Sequence, residues 1–202
     1  MIKQTIHLYV FDTLADWEPS FVIAGLNNPD FQAEPGRFQV KTVGETREPV
    51  KSIGGLTILP DMTLAELEPA ESALLILPGG DWSADRNLAA LAKARQFLEA
   101  GVPVAAICGA TLGLARVGLL NQRRHTSNAP EFLQDQNYQG AALYQHQRAV
   151  ADENLITAGA ASSIEFAYQI FKKLAVYGEP VLEAWYGLYT TGNPSFFYHM
   201  IQ

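Results

Sequence analysis

The single cysteine of this chain, Cys108, stands where an apolar run, Val104-Ala105-Ala106-Ile107, gives way to Gly109-Ala110-Thr111. A thiol at such a junction, with alanine two positions to either side, has the shape of a nucleophile elbow. Small flanking residues let a strained turn clear the adjoining strand and helix, although A-x-C-x-A is a looser frame than G-x-S-x-G. A helix starting at residue 109 would bring unpaired N–H groups and a positive dipole end to the sulfur, favouring thiolate over thiol and lowering its pKa. Nucleophilicity and easy oxidation would follow together. A lone cysteine ending an apolar strand is more often a small buried hydrophobe; its place after the last apolar residue argues for chemistry instead.

Two further groups belong with it if the chain alternates strands and helices. Pro78-Gly79-Gly80 ends the preceding apolar run, and glycine N–H groups there would join that of Gly109 around a developing oxyanion. Glu18 follows Ala15-Asp16-Trp17 in what the pattern predicts as the first turn of the first helix. A carboxylate in that place is ordinarily dipole compensation. Trp17 and Trp82 are candidates to wall a pocket over Cys108, or simply to cover the end of the sheet. His7, His146 and His199 have no partner at metal-ligand spacing, so no metal site is expected.

The elements that must position these residues are legible in the pattern. Residues 5–11 predict a strand, and an amphipathic stretch follows over 16–27. Residues 38–43 predict a second strand, and 50–64, with Gly54-Gly55 inside, a hairpin or bent excursion. Residues 73–77 and 102–107 are apolar throughout, as strands buried on both faces are. Helices are expected over 86–99, stopped by Gly101, and over 109–117, the latter buried. A short strand over 123–128, a helix from Pro130, a strand over 154–158 and a helix over 164–177 complete the alternation, with 178–202 an appended helix and tail whose Phe196-Phe197-Tyr198 run serves packing. This order predicts an α/β fold, flavodoxin-like and doubly wound, with a mostly parallel sheet, helices on both faces and loops converging at the carboxyl ends of the strands.

The totals exclude several classes. A chain of 202 residues, 48% apolar, is expected to form one domain over residues 1–202 around one core. A net charge of −7 provides no basic footprint for nucleic acid. One cysteine forms no internal disulfide, which suits the cytoplasm, and neither a signal peptide nor a membrane span is evident.

With these residues in place, the stretch AAICGATLGLA, with LILPGG and ADWE before it and DENLITAGAASSIEFA after it, resembles the DJ-1/PfpI superfamily over roughly residues 6–174. That superfamily shares the class I glutamine amidotransferase fold. The resemblance implies that Cys108 is the reactive residue, that Glu18 hydrogen-bonds to it with a raised carboxyl pKa, and that the amides of Gly80 and Gly109 form an oxyanion site beside Gly79. Hydrolytic members carry a histidine directly after the cysteine, where this chain has Gly109. Others carry one at the position aligned with Asn128, and asparagine is no general base. His125 precedes Asn128 by three residues, an odd separation that on a strand turns its side chain to the other face; both remain pocket candidates. The implied functions are a cysteine-dependent hydrolase, lyase or glyoxalase-like enzyme on a small carbonyl or amide, a redox-responsive stress protein, or a non-catalytic binding protein. Peptidase and glutaminase activities are disfavoured. No cofactor is implied; the expected partners are a small-molecule substrate or oxidant and a second copy of the chain in a homodimer.

Overall fold

The computed structural model describes residues 3–83 and 85–201. Met1, Ile2, Ala84 and Gln202 lie outside the described residues, and with them the extreme ends of the expected domain and tail. The strands are β1 (Gln4–Tyr9), β2 (Phe38–Gly44), β3 (Val50–Lys51), β4 (Thr57–Ile58), β5 (Met62–Thr63), β6 (Leu74–Leu77), β7 (Val104–Ile107), β8 (Ala149–Asp152) and β9 (Leu155–Ala158). The helices are α1 (Ser20–Asn27), α2 (Leu88–Glu99), α3 (Gly109–Arg116), α4 (Ser163–Leu174), α5 (Glu179–Thr191) and α6 (Ser195–Met200).

Seven strands form one sheet in the order β5-β2-β1-β6-β7-β9-β8. Every neighbouring pair is parallel except β8 with β9. The α/β, mostly parallel architecture is the one expected. β6, β7 and β9 are buried along their whole length, because helices cover both faces and an unbroken apolar run is what such a strand needs. From β1 the chain steps outward to β2, then returns to β6 on the other flank. The order therefore reverses between β1 and β6, and a crevice opens above their carboxyl ends.

Three segments differ from expectation, while residues 50–64 contain the expected hairpin. The first helix begins at Ser20, after turns, because Pro19 disfavours helical backbone at Glu18; Glu18 therefore stands in the turn before α1. Residues 50–64 split into the antiparallel hairpin β3–β4 and the edge strand β5. The strand expected over 123–128 is reduced to one bridge, His125 with Tyr144. Its place beside β9 is taken by β8, which turns back through Glu153 at φ 50°. Pro130 opens a 3-10 turn, Pro130–Leu133, rather than a longer helix.

The C-terminal segment forms two helices. Trp185 of α5 packs edge-on against Phe21 and Phe171, and Phe196 of α6 lies against Gly187, where a β-carbon would come within 2.5 Å of its ring. Phe197 is half-exposed but lies edge-on to Phe31, and Tyr198 is exposed, so the run packs as expected through its first two residues only.

Candidate active site

Cys108 lies between β7 and α3 at φ 57° and ψ −121°. That backbone conformation suits glycine and costs an L-residue roughly 1–3 kcal/mol, which surrounding contacts must offset. Three bonds do so. The Cys108 N–H donates to the Ala158 carbonyl at the end of β9, at 3.0 Å. Its carbonyl accepts the Thr111 N–H at 3.1 Å and the Thr111 hydroxyl at 2.6 Å. Because the one hydroxyl proton of Thr111 is committed there, Ser127 is the donor in the 2.7 Å contact between the two hydroxyls. Thr111 and Ser127 thus clamp the elbow, a role not apparent from the sequence; the signal was a threonine in the first turn of a helix that follows a reactive residue.

Glu18 is fully buried, 0% exposed, and reaches over the end of β6. Its Oε2 accepts the Gly79 N–H at 2.5 Å, while Oε1 is buried without a hydrogen-bond partner among the described residues. A β-carbon at position 79 would fall 2.5 and 2.7 Å from the two carboxylate oxygens and 2.7 Å from the Cys108 β-carbon. Gly79 is therefore the slot through which Glu18 meets Cys108, and no larger residue fits it. Burial pushes the Glu18 carboxyl up to about 7, against the Gly79 N–H and the Cys108 side chain, which pull it down.

Burial first, and the Glu18 charge second, push the Cys108 thiol up to about 11; the Asn128 amide and the Gly109 N–H oppose them. The lowering expected from the helix start is thus reversed while Glu18 is ionised, because desolvation and a like charge outweigh one helix end. When the carboxyl holds the proton, that charge is gone and its hydroxyl becomes a donor toward sulfur. The two groups titrate as a pair, and over a wide pH range they share one proton and one negative charge.

Asn128 also reaches the sulfur. Its Oδ1 accepts the Ala160 N–H at 2.8 Å, which fixes the amide so that Nδ2 faces Cys108 Sγ at 3.5 Å. Gly80 and Gly109 abut: a β-carbon on Gly109 would lie 2.6 Å from the Gly80 carbonyl oxygen and 3.4 Å from its nitrogen. The Gly80 N–H pairs with no backbone carbonyl among the described residues. This contact explains why residue 109 carries no side chain here: any β-carbon would strike Gly80 and the Trp82 indole.

The other sequence candidates lie elsewhere. His125 is buried and both ring nitrogens are engaged, Nδ1 donating to the Arg123 carbonyl and Nε2 accepting from the Tyr138 hydroxyl, each at 2.7 Å. Its ring is turned to Tyr138, and burial lowers its pKa. Trp82 is the floor of the elbow rather than a wall of the pocket: its Nε1 donates to the Pro78 carbonyl at 2.9 Å, and its ring lies against Gly109 and Gly113. Trp17 faces solvent at 52% exposure. Among the described residues no three His, Cys, Asp or Glu side chains gather as a metal site requires.

A doubly wound sheet with a cysteine elbow, a buried glutamate from the first strand's loop and a glycine pair between them defines a protein with the glutamine amidotransferase-like fold. Within that class the chain belongs to the DJ-1/PfpI family, whose sequence profile matches residues 4–173. It is 41% identical over 205 residues to a Bacillus subtilis (strain 168) protein named "Uncharacterized protease YoaZ", covering 100% of this chain and 98% of that one. The crystal structure of a thiJ/pfpI family protein from Bacillus anthracis superimposes with a TM-score of 0.94 at 40% identity, covering 100% and 98% of the two chains. A Caenorhabditis elegans protein named "Glutathione-independent glyoxalase DJR-1.2" is 27% identical over 144 residues, 69% of this chain and 75% of that one.

Proposed function

We propose that the protein uses Cys108 as a nucleophile toward small carbonyl compounds, in a glyoxalase-like reaction. The observation that carries this reading is the convergence of Glu18 and Asn128 on the sulfur of a strained elbow. The sulfur forms a bond to the carbonyl carbon, the π pair moves onto oxygen, and the Gly80 and Gly109 N–H groups receive that charge. The proton held by Glu18 then neutralises it. Conversion of a 2-oxoaldehyde with water to a 2-hydroxy acid oxidises the aldehyde carbon and reduces its neighbour, so no external oxidant is needed. The name of the worm relative supports the substrate class.

Peptide hydrolysis is disfavoured in this reading despite the name of the Bacillus subtilis relative, since Gly109 replaces the adjacent histidine and His125 is committed to Tyr138. The same absence of a base beside the sulfur favours one second reading, stoichiometric oxidation of Cys108, in which the unpartnered Glu18 Oε1 would donate to the oxidised sulfur.

A homodimer is part of the proposal. Ile53, Leu56 and Leu59 are exposed on and beside the β3–β4 hairpin, which is tied to the Trp17 loop through Ile53 N–H to Leu14 O at 2.9 Å and Gly54 N–H to Asp16 Oδ2 at 2.7 Å. An apolar ridge of this kind suits burial against a second copy. No described helix is long and apolar enough to cross a membrane, and the acidic chain with its free cysteine suits a reducing cytoplasm.

The test is methylglyoxal turnover without glutathione, followed as lactate, beside iodoacetamide alkylation as a function of pH. Turnover in the wild type and its loss in Cys108→Ser are expected. Turnover that survives in Cys108→Ser refutes the reading; absent turnover with rapid oxidation of Cys108 by peroxide selects the second one.

A further inference from the structure

Between α1 and the C-terminal helices α5 and α6 the chain encloses a cavity of about 170 Å³. Its wall is aromatic. Phe21 comes from α1, Phe31 from the loop after it, Tyr177 from the loop after α4, Trp185 and Tyr189 from α5, and Phe197 from α6. Aromatic residues are half of this lining but 10% of the chain, so the rings are concentrated here beyond what chance packing requires. Phe21 meets Tyr189 edge to face with ring centroids 5.0 Å apart, and Phe31 meets Phe197 in the same way at 6.3 Å. In an edge-to-face pair one ring supplies its positive edge and keeps both negative faces, so this packing leaves ring faces unspent. Phe31 is held at φ 64°, a left-handed conformation uncommon for a bulky residue. Such a backbone persists only where its surroundings impose it, and ligand clamps are among those places.

The charge around the rings has one sign. Asp30 is the one charged residue on the lining, and its N–H closes a turn onto Asn28 Oδ1 at 3.2 Å. Its carboxylate has no ion-pair partner among the described residues. The protein's own cations that lie over rings, Arg37 on Phe38 and Lys172 on Tyr168, are on rings outside this cavity. Negative ring faces and an unpaired carboxylate together call for a cation from outside. A primary ammonium is strongly hydrated and resists entry between apolar rings, whereas a quaternary one spreads its charge over methyl groups and sheds water readily. Size narrows the choice further, because drug-sized ligands occupy roughly 300–1,000 Å³ and this cavity is smaller.

We infer that this cavity binds a small free quaternary ammonium compound of the choline type, with its N-methyl groups among the rings and its charge near Asp30. The site is separate from the chemistry at Cys108 and does not depend on it.

Choline and neopentyl carbinol, its neutral isostere with a tert-butyl group in place of trimethylammonium, test it by calorimetry and by ligand proton resonances in the presence of the whole chain. Choline is expected to saturate the protein with its N-methyl resonance moved upfield by the ring faces, and the neutral isostere to bind at least about tenfold more weakly, the worth of one desolvated cation–π contact. Asp30→Asn lowers choline affinity several-fold and leaves that of the isostere unchanged. Tyr189→Leu, at the exposed rim, weakens choline more than the isostere. Glu99→Gln, the same charge change as Asp30→Asn but at the end of α2, alters neither. Equal affinity for the two probes overturns the cation site, as does the lack of a saturable response to choline at about 10 mM. Choline without effect on a chain whose oligomeric state shifts in Tyr189→Leu makes the cavity a contact between copies, and binding confined to phosphatidylcholine vesicles makes it a membrane contact. Either result overturns the inference.

Discussion

The backbone of Cys108 makes a prediction about stability that is independent of any activity. Cys108→Ala and Cys108→Gly both remove the sulfur, so the loss of its contacts with Glu18 and Asn128 cancels between them, and only the β-carbon at φ 57°, ψ −121° differs. At an ordinary position glycine is less stable than alanine by about 0.5–1 kcal/mol, through the entropy of the unfolded chain. Here glycine also releases strain of roughly 1–3 kcal/mol. Against that, it gives up the partial burial of one methyl group, about 0.5 kcal/mol for a half-buried site. The balance runs from ~0.5 kcal/mol in favour of alanine to ~2 kcal/mol in favour of glycine, with a centre near ~0.8 kcal/mol for glycine. For a chain of this length that is a Tm higher in the glycine variant by roughly 2–3 °C. Urea unfolding of the two variants at one pH measures the difference, provided their m values agree. A glycine variant less stable than the alanine variant by about 1 kcal/mol, as on an unstrained backbone, would falsify the strained elbow.

Two further outcomes follow from the Glu18 slot. Between pH 4.5 and about 7 the folded carboxyl keeps its proton while the unfolded one has lost it, so its contribution is fully present below pH 4.5 and is lost as pH rises through 7. The unfolding free energy of the wild type minus that of Glu18→Gln should therefore fall across this window, by ~3 kcal/mol at most; His7, held down to about 4 by burial and Lys41, acts oppositely in both proteins and cancels. Parallel stability curves reject a raised Glu18. Gly79→Ala drives a β-carbon into both carboxylate oxygens and the Cys108 β-carbon; a loss of about 1–3 kcal/mol and an altered pH profile of thiol alkylation are expected, and a neutral effect on both would show that the slot is open.

The fold was legible where burial on two faces leaves no choice of residue. Leu74–Leu77, Val104–Ile107 and Leu155–Ala158 are apolar without alternation, and each ends where the chain turns over the sheet. It was illegible at the edge. Residues 123–128 are polar, as an edge strand can be, yet that place goes to Ala149–Asp152, whose hairpin turns at Glu153-Asn154 with the left-handed conformation on the glutamate, not on a glycine or on Asn154. For the site, the carboxyl ends of β1, β6 and β7 converge by topology, so Glu18, Gly79, Gly80 and Cys108 could be chosen together. The clamp of Thr111 and Ser127, and the Ala160 N–H that orients Asn128, depend on how far side chains reach between loops, which no spacing rule encodes.

On the reading proposed above, the proton inventory of this site selects its chemistry. Glu18 and Cys108 hold one proton between them, and Oε1 has no other protein group to exchange it with among the described residues. Addition of the thiolate to an aldehyde consumes that proton on the new oxygen and leaves Glu18 a carboxylate; on this reading the same carboxylate then carries the adduct's C–H proton to the neighbouring carbon, giving a thioester that water cleaves to the 2-hydroxy acid and the free thiol. Cleaving an amide demands more. The leaving nitrogen must be protonated while a water is deprotonated, and these two transfers at separate atoms are what a mobile histidine supplies. Gly109 excludes one at the adjacent position, and His125 spends both nitrogens on Arg123 and Tyr138. A site with one carboxyl proton carrier beside the sulfur and a rigid donor at Asn128 is matched to addition at a carbonyl carbon followed by a proton shift between neighbouring carbons.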